Sequence, residues 1–289
     1  MKTQKSIPAS LLLLLAVIGF SCEKIEEEPW NRFPEMTMTH NGSDRFQIGL
    51  YGTGTAYIDW GDGTPVVTDK TISNNEAPFP TNNHGYYRNP ELVYTVKVKG
   101  KNITGLMLNT SQGEVSTIDV SKNPALEYLS CYGGRNGILE SLDLSKNPAL
   151  KYLDCSTNQL QTLDLSNNTG LEYLICYNNH LSIPDIGKLT ELRYLDCSRN
   201  FLGNLDFSKN MELIYLNCSS TSMTALDLSK NTKLTELNCS SNKFSAEALN
   251  ALFETLPDTG GRLSMYNNPG TDDCDRSIAT NKGWSVNYY

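Results

Sequence analysis

The chain has 289 residues, of which 32 are acidic and 24 are basic, so its formal net charge is −8. This acidic balance disfavours nucleic acid and anionic lipid surfaces as partners. The three histidines, His40, His84 and His180, lie in no recognisable nucleophile or zinc motif, and the sequence contains no glycine-rich phosphate-binding loop. We therefore predict no catalytic residues, no bound metal and no cofactor.

Residues 1–21 have the pattern of a secretory signal peptide. Lys2 and Lys5 precede an apolar run from Leu11 to Phe20, which is too short to span a bilayer. The Ser21-Cys22 pair at its end resembles the cleavage box of bacterial lipoproteins. This resemblance implies that Cys22 becomes the acylated first residue and that the protein contacts a membrane only through that lipid.

Residues 22–33 form a predicted acidic tether. Its first part, Glu23–Glu28, resembles the acidic export signal of surface-exposed lipoproteins in some Gram-negative bacteria. The alternative interpretation is an ordinary solvated linker. The resemblance implies an exported outer-membrane lipoprotein that is exposed on the cell surface.

Residues 34–100 have a composition typical of short β-strands, with alternating apolar positions in 46–50, 56–60 and 94–98. The segment Tyr57–Thr64, with its sequence YIDWGDGT, resembles the PKD-type immunoglobulin-like β-sandwich of bacterial surface proteins. Asp62-Gly63 predicts a tight hairpin turn. Asp59 and Asp62 lack the further oxygen ligands of a calcium site, so we interpret both as turn residues. The predicted domain serves as a spacer and N-terminal cap.

A short pattern, L-x-x-L-x-C, recurs six times in the next part of the chain. Its cysteines are Cys131, Cys155, Cys176, Cys197, Cys218 and Cys239. The last five copies are 21 residues apart, and the first interval is 24, where residues 133–135 resemble a loop insertion. Such a period predicts units that bury their apolar sides only by stacking into a solenoid.

Most copies continue to an Asn three residues past the Cys, at Asn158, Asn179, Asn200 and Asn242, whereas Thr221 replaces it once. The whole pattern resembles the leucine-rich repeat, and its 21-residue period resembles the internalin group of bacterial surface proteins. The resemblance covers residues 103–245, and we place this domain at 101–245.

A second half-repeat of the form L-D-L-S-K-N completes the period in most copies, but copy four departs from it with IPDIGKL at residues 183–189. In one copy, Leu142 and Leu144 are expected to point inward while Asp143 and Ser145 face water. Side-chain amides of the Asn columns are expected to bond backbone groups. We predict an α/β leucine-rich repeat solenoid with a concave parallel β-sheet and a convex side of short extended or 3₁₀ segments, preceded by the small β-sandwich.

Eight cysteines in an exported chain would normally indicate disulfides. Here six occupy equivalent inward positions on parallel strands about 4.8 Å apart, whereas a disulfide needs Cβ atoms about 3.8 Å apart and turned toward each other. We predict that they are small buried hydrophobes and that Cys274 is buried and free. Cys176 with His180 lacks a second ligand pair, so no metal site is predicted there.

Residues 246–289 are predicted to form a C-terminal cap with helix, strand, helix and strand in turn. Ser245 is expected to cap the first helix, which ends at Pro257, and a strand is expected near 263–266. Acidic residues are expected to stabilise the start of the second helix, namely Asp272, Asp273 and Asp275. A last strand is expected over 284–289.

The residues between the buried positions of each L-x-x-L-x-C strand should point out of the concave sheet in three rows. The tyrosine row is Tyr128, Tyr152, Tyr173, Tyr194, Tyr215 and Glu236. The middle row is Ser130, Asp154, Ile175, Asp196, Asn217 and Asn238. The third row is Tyr132, Ser156, Tyr177, Ser198, Ser219 and Ser240. The predicted ligand-binding residues are Tyr128, Tyr152, Asp154, Tyr173, Ile175, Tyr177, Tyr194, Asp196, Tyr215, Asn217 and Asn238.

Two interpretations of the tyrosine row remain open. It is a binding surface, because Tyr is enriched where binding energy concentrates, or it only stabilises stacked strands through cross-strand pairing. As a binding surface, it would take a protein partner, as in an adhesin that resembles the internalins. The alternative ligand is a glycan stacked on exposed ring faces, with the Asp and Asn residues bonding its hydroxyls.

Overall fold

A sheet of fourteen strands carries the architecture in the computed structural model, which describes residues 33–41, 45–61, 63, 67–72, 80–85, 93–110, 115–135, 137–182 and 185–287. The predicted signal peptide, Cys22, the tether up to residue 32 and Asp62 of the predicted hairpin turn lie outside these residues. Within the part that is described, no helix is long and apolar enough to cross a membrane.

The N-terminal strands are antiparallel to one another. They are β1 (Glu35–Asn41), β2 (Arg45–Asp59), β3 (Val67–Ile72), β4 (Pro80–Gly85), β5 (Val93–Thr110) and β6 (Val115–Asp119). Strand β2 pairs with β3, β4 and β5, and β1 lies between β5 and β6. The predicted strand segments 46–50 and 94–98 lie within β2 and β5, and 56–59 lie within β2.

Strand β5 joins this region to the repeats. Its first half pairs with β1, and its second half places Leu106 beside Leu129 in a parallel pair. The strand therefore crosses the predicted domain boundary at residues 100 and 101, and Pro34–Tyr289 form one compact unit. The described strands of 34–100 belong to the same sheet as the repeats. A separate β-sandwich with a PKD-type fold stays a prediction.

The remaining strands are parallel and follow one another across the sheet in chain order. They are β7 (Tyr128–Ser130), β8 (Tyr152–Asp154), β9 (Tyr173–Ile175), β10 (Tyr194–Asp196), β11 (Tyr215–Asn217), β12 (Glu236–Asn238), β13 (Gly261–Ser264) and β14 (Trp284–Asn287). Within the described residues, the helices are α1 (Ala246–Thr255) and α2 (Ser277–Asn281). The predicted solenoid with a concave parallel sheet is confirmed.

The repeat builds its core from positions that alternate along each strand. In one coil, Leu171, Leu174 and Cys176 are fully buried, while Tyr173 and Ile175 between them face outward. The same leucines and cysteines of the other coils form one continuous core with Val96, Val98 and Leu106 of β5. Burial of this apolar surface is the main stabilising contribution, at roughly 25 cal/mol per Å².

Each coil turns sharply two residues after its cysteine. The residues there adopt a left-handed backbone conformation, with φ between 53° and 58°. They are Thr157, Asn178, Arg199, Ser220, Ser241 and, after Met265, Asn267. In the first coil the inserted Gly134 has φ 59° instead, and Gly133 lies against the Thr157 carbonyl where no Cβ fits. This confirms that the longer first interval is accommodated in a loop.

Two columns of buried Asn side chains hold successive coils together. In the first, Asn200 Nδ2 donates to the Cys176 carbonyl at 3.0 Å, and its Oδ1 accepts from the Leu181 N–H at 3.0 Å. At the position of the missing Asn, the Thr221 hydroxyl donates to the Cys218 carbonyl at 2.7 Å. This arrangement confirms that the side chains satisfy backbone groups.

The second Asn column lies on the convex side. Asn168 Nδ2 donates to the carbonyls of Leu144 and Asn147, but Asn168 Oδ1 is buried without a hydrogen-bond partner. Leu189 occupies the equivalent position in the copy that departs from the pattern, and it is fully buried. The first column therefore uses both ends of its amides, whereas the second uses only the donors.

The convex side consists of tight turns. The N–H groups of Asn147 and Leu150 donate to the carbonyls of Leu144 and Asn147, which closes two successive turns. Asp143 Oδ1 accepts from the Ser145 N–H at 2.9 Å. The described convex segments contain neither helix nor strand, so the predicted extended or 3₁₀ pieces are replaced by turns that the Asp and Asn side chains fix.

The C-terminal segment continues the solenoid. Ser245 caps α1 by accepting from the Ala248 N–H, as predicted, and Leu249, Leu252 and Phe253 are buried. Helix α2 begins only at Ser277, so Asp272 and Asp273 do not lie in its first turn, contrary to the prediction. The strand predicted near 263–266 is β13, which begins at Gly261 and ends at Ser264. It pairs with β12, where Leu263 lies beside Leu237. Strand β14 then adds Trp284, whose buried indole closes the core.

Candidate binding face on the concave sheet

Parallel pairing in register brings the predicted rows together. Tyr128, Tyr152, Tyr173, Tyr194 and Tyr215 occupy matching positions on β7 to β11, followed by Glu236 on β12. The middle row lies two residues further along each strand, on the same side of the sheet as the tyrosines, while the intervening leucines are buried. Four serines of the middle and third rows are buried as well: Ser130, Ser156, Ser198 and Ser240. The register follows from the 21-residue spacing, because a slip of one residue would turn the buried leucines to solvent.

Four of the five tyrosine rings form two close stacks along the row. The ring centroids of Tyr128 and Tyr152 are 4.3 Å apart with an interplanar angle of 10°, and those of Tyr194 and Tyr215 are 4.1 Å apart at 1°. Tyr173 lies between these two pairs, 6.1 Å from Tyr152 and 6.1 Å from Tyr194. It is the most exposed ring of the row, at 42%.

A further tyrosine, Tyr51 of β2, extends the row beyond the repeats. Gly105 of β5 occupies the row position beside Tyr128, and a Cβ at Gly105 would come within 2.6 Å of the Tyr51 ring. The Tyr51 ring therefore takes the place of a side chain at residue 105, with its centroid 4.6 Å from that of Tyr128. Sequence reasoning missed this residue, because nothing in the repeat pattern points to a strand outside it.

Burial changes the acidity of these hydroxyls. The pKa of Tyr215 is raised mainly by burial and to a smaller extent by the hydroxyl of Tyr194. The pKa of Tyr51 is raised mainly by burial and to a smaller extent by Tyr128, and a side-chain hydrogen bond joins the two hydroxyls. Tyr51 and Tyr215 therefore stay neutral at physiological pH and present hydroxyls as hydrogen-bonding groups.

The middle row carries carboxylates that are held in place by serines of the third row. Asp154 Oδ1 accepts from the Ser156 N–H at 3.0 Å and from its hydroxyl at 2.5 Å. Asp196 makes the same contacts with Ser198, at 3.0 and 2.6 Å. Burial first, with a smaller contribution from Asp196, raises the pKa of Asp154. Asn217 Nδ2 donates to Asp196 Oδ2 at 3.0 Å.

The third row contains two tyrosines. Tyr132 is 38% exposed. Its pKa is raised mainly by burial and to a smaller extent by Tyr177, with which it shares a side-chain hydrogen bond. Asn238, the last predicted residue, accepts from the Ser240 N–H through Oδ1 at 3.1 Å. Every predicted concave residue therefore lies on this one face, and Tyr132 and Tyr51 belong with them.

The cysteines behind this face are core residues. All six in the repeats are buried free thiols, and burial raises the pKa of Cys239 to about 12. Cys274 is free but only partly buried, so the prediction of its burial is wrong in degree. Among the described residues, no three His, Cys, Asp or Glu side chains form a group that could hold a metal ion.

The Asp residues on the convex side do not converge on a pocket. The side chains of Asp206 and Asp227 border an open groove of about 490 Å³ beside Ala248 and Ala251 of α1. The hydrogen bonds from Ser208 and Ser229 hold the pKa values of these two carboxyls below their usual range. They therefore act as turn residues.

Comparison with known proteins agrees with this architecture. Residues 169–210 match the family described as Leucine Rich repeats (2 copies). A search of curated proteins found no significant match to the chain. The chain contains leucine-rich repeats, a fold whose members are typically protein-interaction modules without catalytic activity.

Solved structures include similar solenoids. A functional domain of InlJ from Listeria monocytogenes, which includes a cysteine ladder, is 35% identical with a TM-score of 0.51; the match covers 62% of this chain and 37% of that one. An internalin, InlF, from the same species is 17% identical with a TM-score of 0.47, and the match covers 64% of this chain and 60% of that one. The chain thus spans little more than a third of the InlJ structure.

Proposed function

We propose that the protein is a non-catalytic cell-surface lipoprotein whose concave leucine-rich repeat face binds a protein partner. The observation that carries this proposal is the stacking of the tyrosine row. Rings 4.1–4.3 Å apart cover each other's faces and leave edges and hydroxyls for a ligand. A sugar ring needs an exposed aromatic face, whereas a protein partner can use edges and hydroxyls. The stacking therefore favours a protein over a glycan.

The rigidity of the face supports the same conclusion. Asp154 and Asp196 are fixed by serine N–H and hydroxyl groups, so little side-chain entropy is lost when a partner binds. Tyr173, in the centre, is exposed and flanked by ordered neighbours. Such an aromatic residue surrounded by fixed polar groups is typical of a binding hot spot.

Capture of partners by the full chain tests this proposal. The wild-type protein and the double variant Tyr173→Ala/Tyr194→Ala would be compared in pulldowns from surface-labelled cells and on a glycan array. We expect saturable protein capture that falls at least tenfold in the double variant. The matched control is Tyr57→Ala, a half-buried tyrosine on β2 outside the row. Glycan binding that depends on the same tyrosines, or protein capture that survives their loss, would contradict the proposal.

The lipid anchor is a separate part of the proposal, and it rests on the leader and Cys22. Cys22→Ser should abolish incorporation of labelled fatty acid and release the protein from the membrane fraction. Protease shaving of intact cells then tests surface exposure of the wild type. Labelling that persists in Cys22→Ser would exclude this cysteine as the anchor.

A further inference from the structure

The concave face is nearly symmetrical about strand β9. On either side, β8 and β10 have the same sequence, Tyr-Leu-Asp, and place Asp154 and Asp196 at equal distances from the centre. The two close tyrosine stacks also lie on either side of β9, one on β7 and β8 and the other on β10 and β11. A repeating solenoid does not require such an arrangement, because the copies on β7 and β11 have Ser130 and Asn217 at the position of the carboxylates.

The centre of this arrangement is apolar. Ile175 takes the middle-row position where the neighbouring strands carry Asp. Tyr173 precedes it on the same strand, and Tyr177 follows two residues after the strand ends. Tyr173 is separated from both neighbouring rings by 6.1 Å, so it is the ring of the row that a ligand can reach. An apolar residue held between two carboxylates is therefore presented at the surface.

The two carboxylates lack a cationic partner within the described part of the chain. The donors to them are neutral groups of four residues: Ser130, Ser156, Ser198 and Asn217. The basic residues that immediately precede β8 and β10 are paired with acidic residues of the neighbouring coils. Lys151 lies 3.5 Å from Glu127, and Arg193 lies 3.7 Å from Glu172.

The raised pKa of Asp154 has burial as its main cause and the charge of Asp196 as a smaller one. A cation beside the pair would remove this cost, because an opposite charge favours the ionised form of a carboxyl group. The face is therefore complementary to positive charge at two places, with an apolar contact between them.

The spacing of these two places selects a backbone conformation. Neighbouring parallel strands lie about 4.8 Å apart, so positions two strands apart are separated by about 10 Å. A polyproline II helix has about three residues per turn and rises about 3.1 Å per residue, so residues i and i+3 lie on one face about 9 Å apart. In a β-strand, residues i and i+3 point to opposite faces.

We propose that this face binds a basic, proline-rich segment of its partner in the polyproline II conformation. Lys or Arg at i and i+3 contacts Asp154 and Asp196, and the residues between them pack on Tyr173 and Ile175. Aromatic-lined surfaces are a recurring mode of polyproline II recognition. The inference rests on the proposed function, because it names the class of partner for the same face.

Synthetic peptides provide the test. The full chain would be titrated with Pro-Lys-Pro-Pro-Lys-Pro, with the isomer Pro-Lys-Lys-Pro-Pro-Pro, and with a version in which Glu replaces both lysines, by fluorescence anisotropy at low salt. We expect the i, i+3 peptide to bind at least fivefold more tightly than its isomer and the Glu peptide not to bind. Equal affinity for the two lysine peptides, or no binding of either, overturns the proposal.

Isosteric variants locate the site. Asp154→Asn and Asp196→Asn keep an oxygen that can accept the serine N–H, as Asn217 does with Ser219, but remove the charge. Each should weaken binding of the i, i+3 peptide by roughly tenfold. The matched control is Asp143→Asn, which removes the same charge from an equivalent turn on the convex side and should leave affinity unchanged. Equal effects in all three variants mean that only net charge matters, which overturns the proposal.

Partner capture separates this inference from the proposed function. If protein capture depends on Tyr173 and Tyr194 but is unchanged by Asp154→Asn/Asp196→Asn, the face binds a protein of other chemistry and only the present inference fails. If capture is independent of the tyrosines as well, the proposed function fails too.

Discussion

The concave strands and the convex turns of this protein use the same local arrangement with opposite results. On both sides an Asp accepts the N–H of a Ser two residues later, as in Asp154 with Ser156 and Asp143 with Ser145. On the convex side the hydrogen bonds from Ser145 are the dominant influence, and they lower the pKa of Asp143. On the concave side burial dominates and raises the pKa of Asp154. The same hydrogen bond thus belongs to an exposed turn on the convex side and to a partly buried carboxyl with a raised pKa on the concave side.

The difference teaches where function can be sought in a repeat protein. A residue that recurs in every coil and is satisfied in every coil serves the fold. In the middle row, Asp occurs only on the two strands beside β9, as Asp154 and Asp196, and burial raises the pKa of Asp154. Position within the stack, rather than the motif itself, separates the two roles.

The largest effects should come from the core, where the two sides should behave alike. Leu195 on the concave strand and Leu165 on the convex side are both 1% exposed. Replacing either by Ala should cost roughly 2–5 kcal/mol, because each leaves a cavity in a continuous core. Urea unfolding measures both variants. A loss below about 1 kcal/mol for Leu165→Ala would show that the convex side is loosely packed.

The Asn columns should differ between the two sides. Asn200→Ala removes the donor to three carbonyls and leaves the buried Leu181 N–H without its acceptor. Asn168→Ala removes only a second donor from the carbonyls of Leu144 and Asn147, each of which still accepts a backbone N–H. We expect a loss of about 3 kcal/mol for the first and about 1 kcal/mol for the second, since a hydrogen bond contributes about 1 kcal/mol and a buried unsatisfied group costs about 1–3 kcal/mol. Urea midpoints compare them, with the exposed Asn167→Ala as control. Equal losses would mean that the hydrogen bond from the Leu181 N–H to Asn200 Oδ1 contributes nothing to stability.

The tyrosine stacks should contribute a smaller amount. A double-mutant cycle of Tyr194→Ala and Tyr215→Ala should give a coupling energy of about 1 kcal/mol, as expected for a stacked aromatic pair. A cycle of Tyr173→Ala with Tyr194→Ala should give less, because their centroids are 6.1 Å apart. Large coupling in both cycles would favour a purely structural role for the row, the alternative left open by the sequence.

The smallest effects should appear in the pH dependence. Because the folded pKa of Asp143 is lowered, its contribution to stability is present above its unfolded pKa and is lost as pH falls through the folded value. The folded pKa of Asp154 is raised, so its cost is absent below the unfolded pKa and grows as pH rises through the folded value. At pH 7, Asp143→Asn should therefore lower the melting temperature slightly, and Asp154→Asn should raise it.

Thermal melts at pH 7 and near pH 2.5 check these signs. Both differences from wild type should shrink at the acidic pH, where the carboxyls are protonated. A melting temperature for Asp154→Asn below that of wild type at pH 7 would show that its carboxylate stabilises the fold, and the comparison between the two sides would then be wrong.

Much of the fold could be predicted because the repeat is self-consistent. A period of 21 residues with inward Leu and Cys leaves one register, so the outward rows and the free, buried cysteines followed directly. The left-handed residues after each cysteine could not be predicted by residue type, since Thr157, Arg199 and Ser220 share no propensity for that conformation. The stacking of coils imposes it on them.

The sequence by itself determined the solenoid, the membership of the concave rows and the capping of α1 by Ser245, because these depend on local periodicity and local hydrogen bonds. Only the tertiary structure decided that β5 joins the N-terminal strands to the repeats, that Tyr51 completes the tyrosine row over Gly105, and that the rings cover each other's faces. These features depend on contacts between residues far apart in the chain, and on side-chain geometry that no spacing specifies. The candidate site is thus located by the repeat and given its chemistry by the packing.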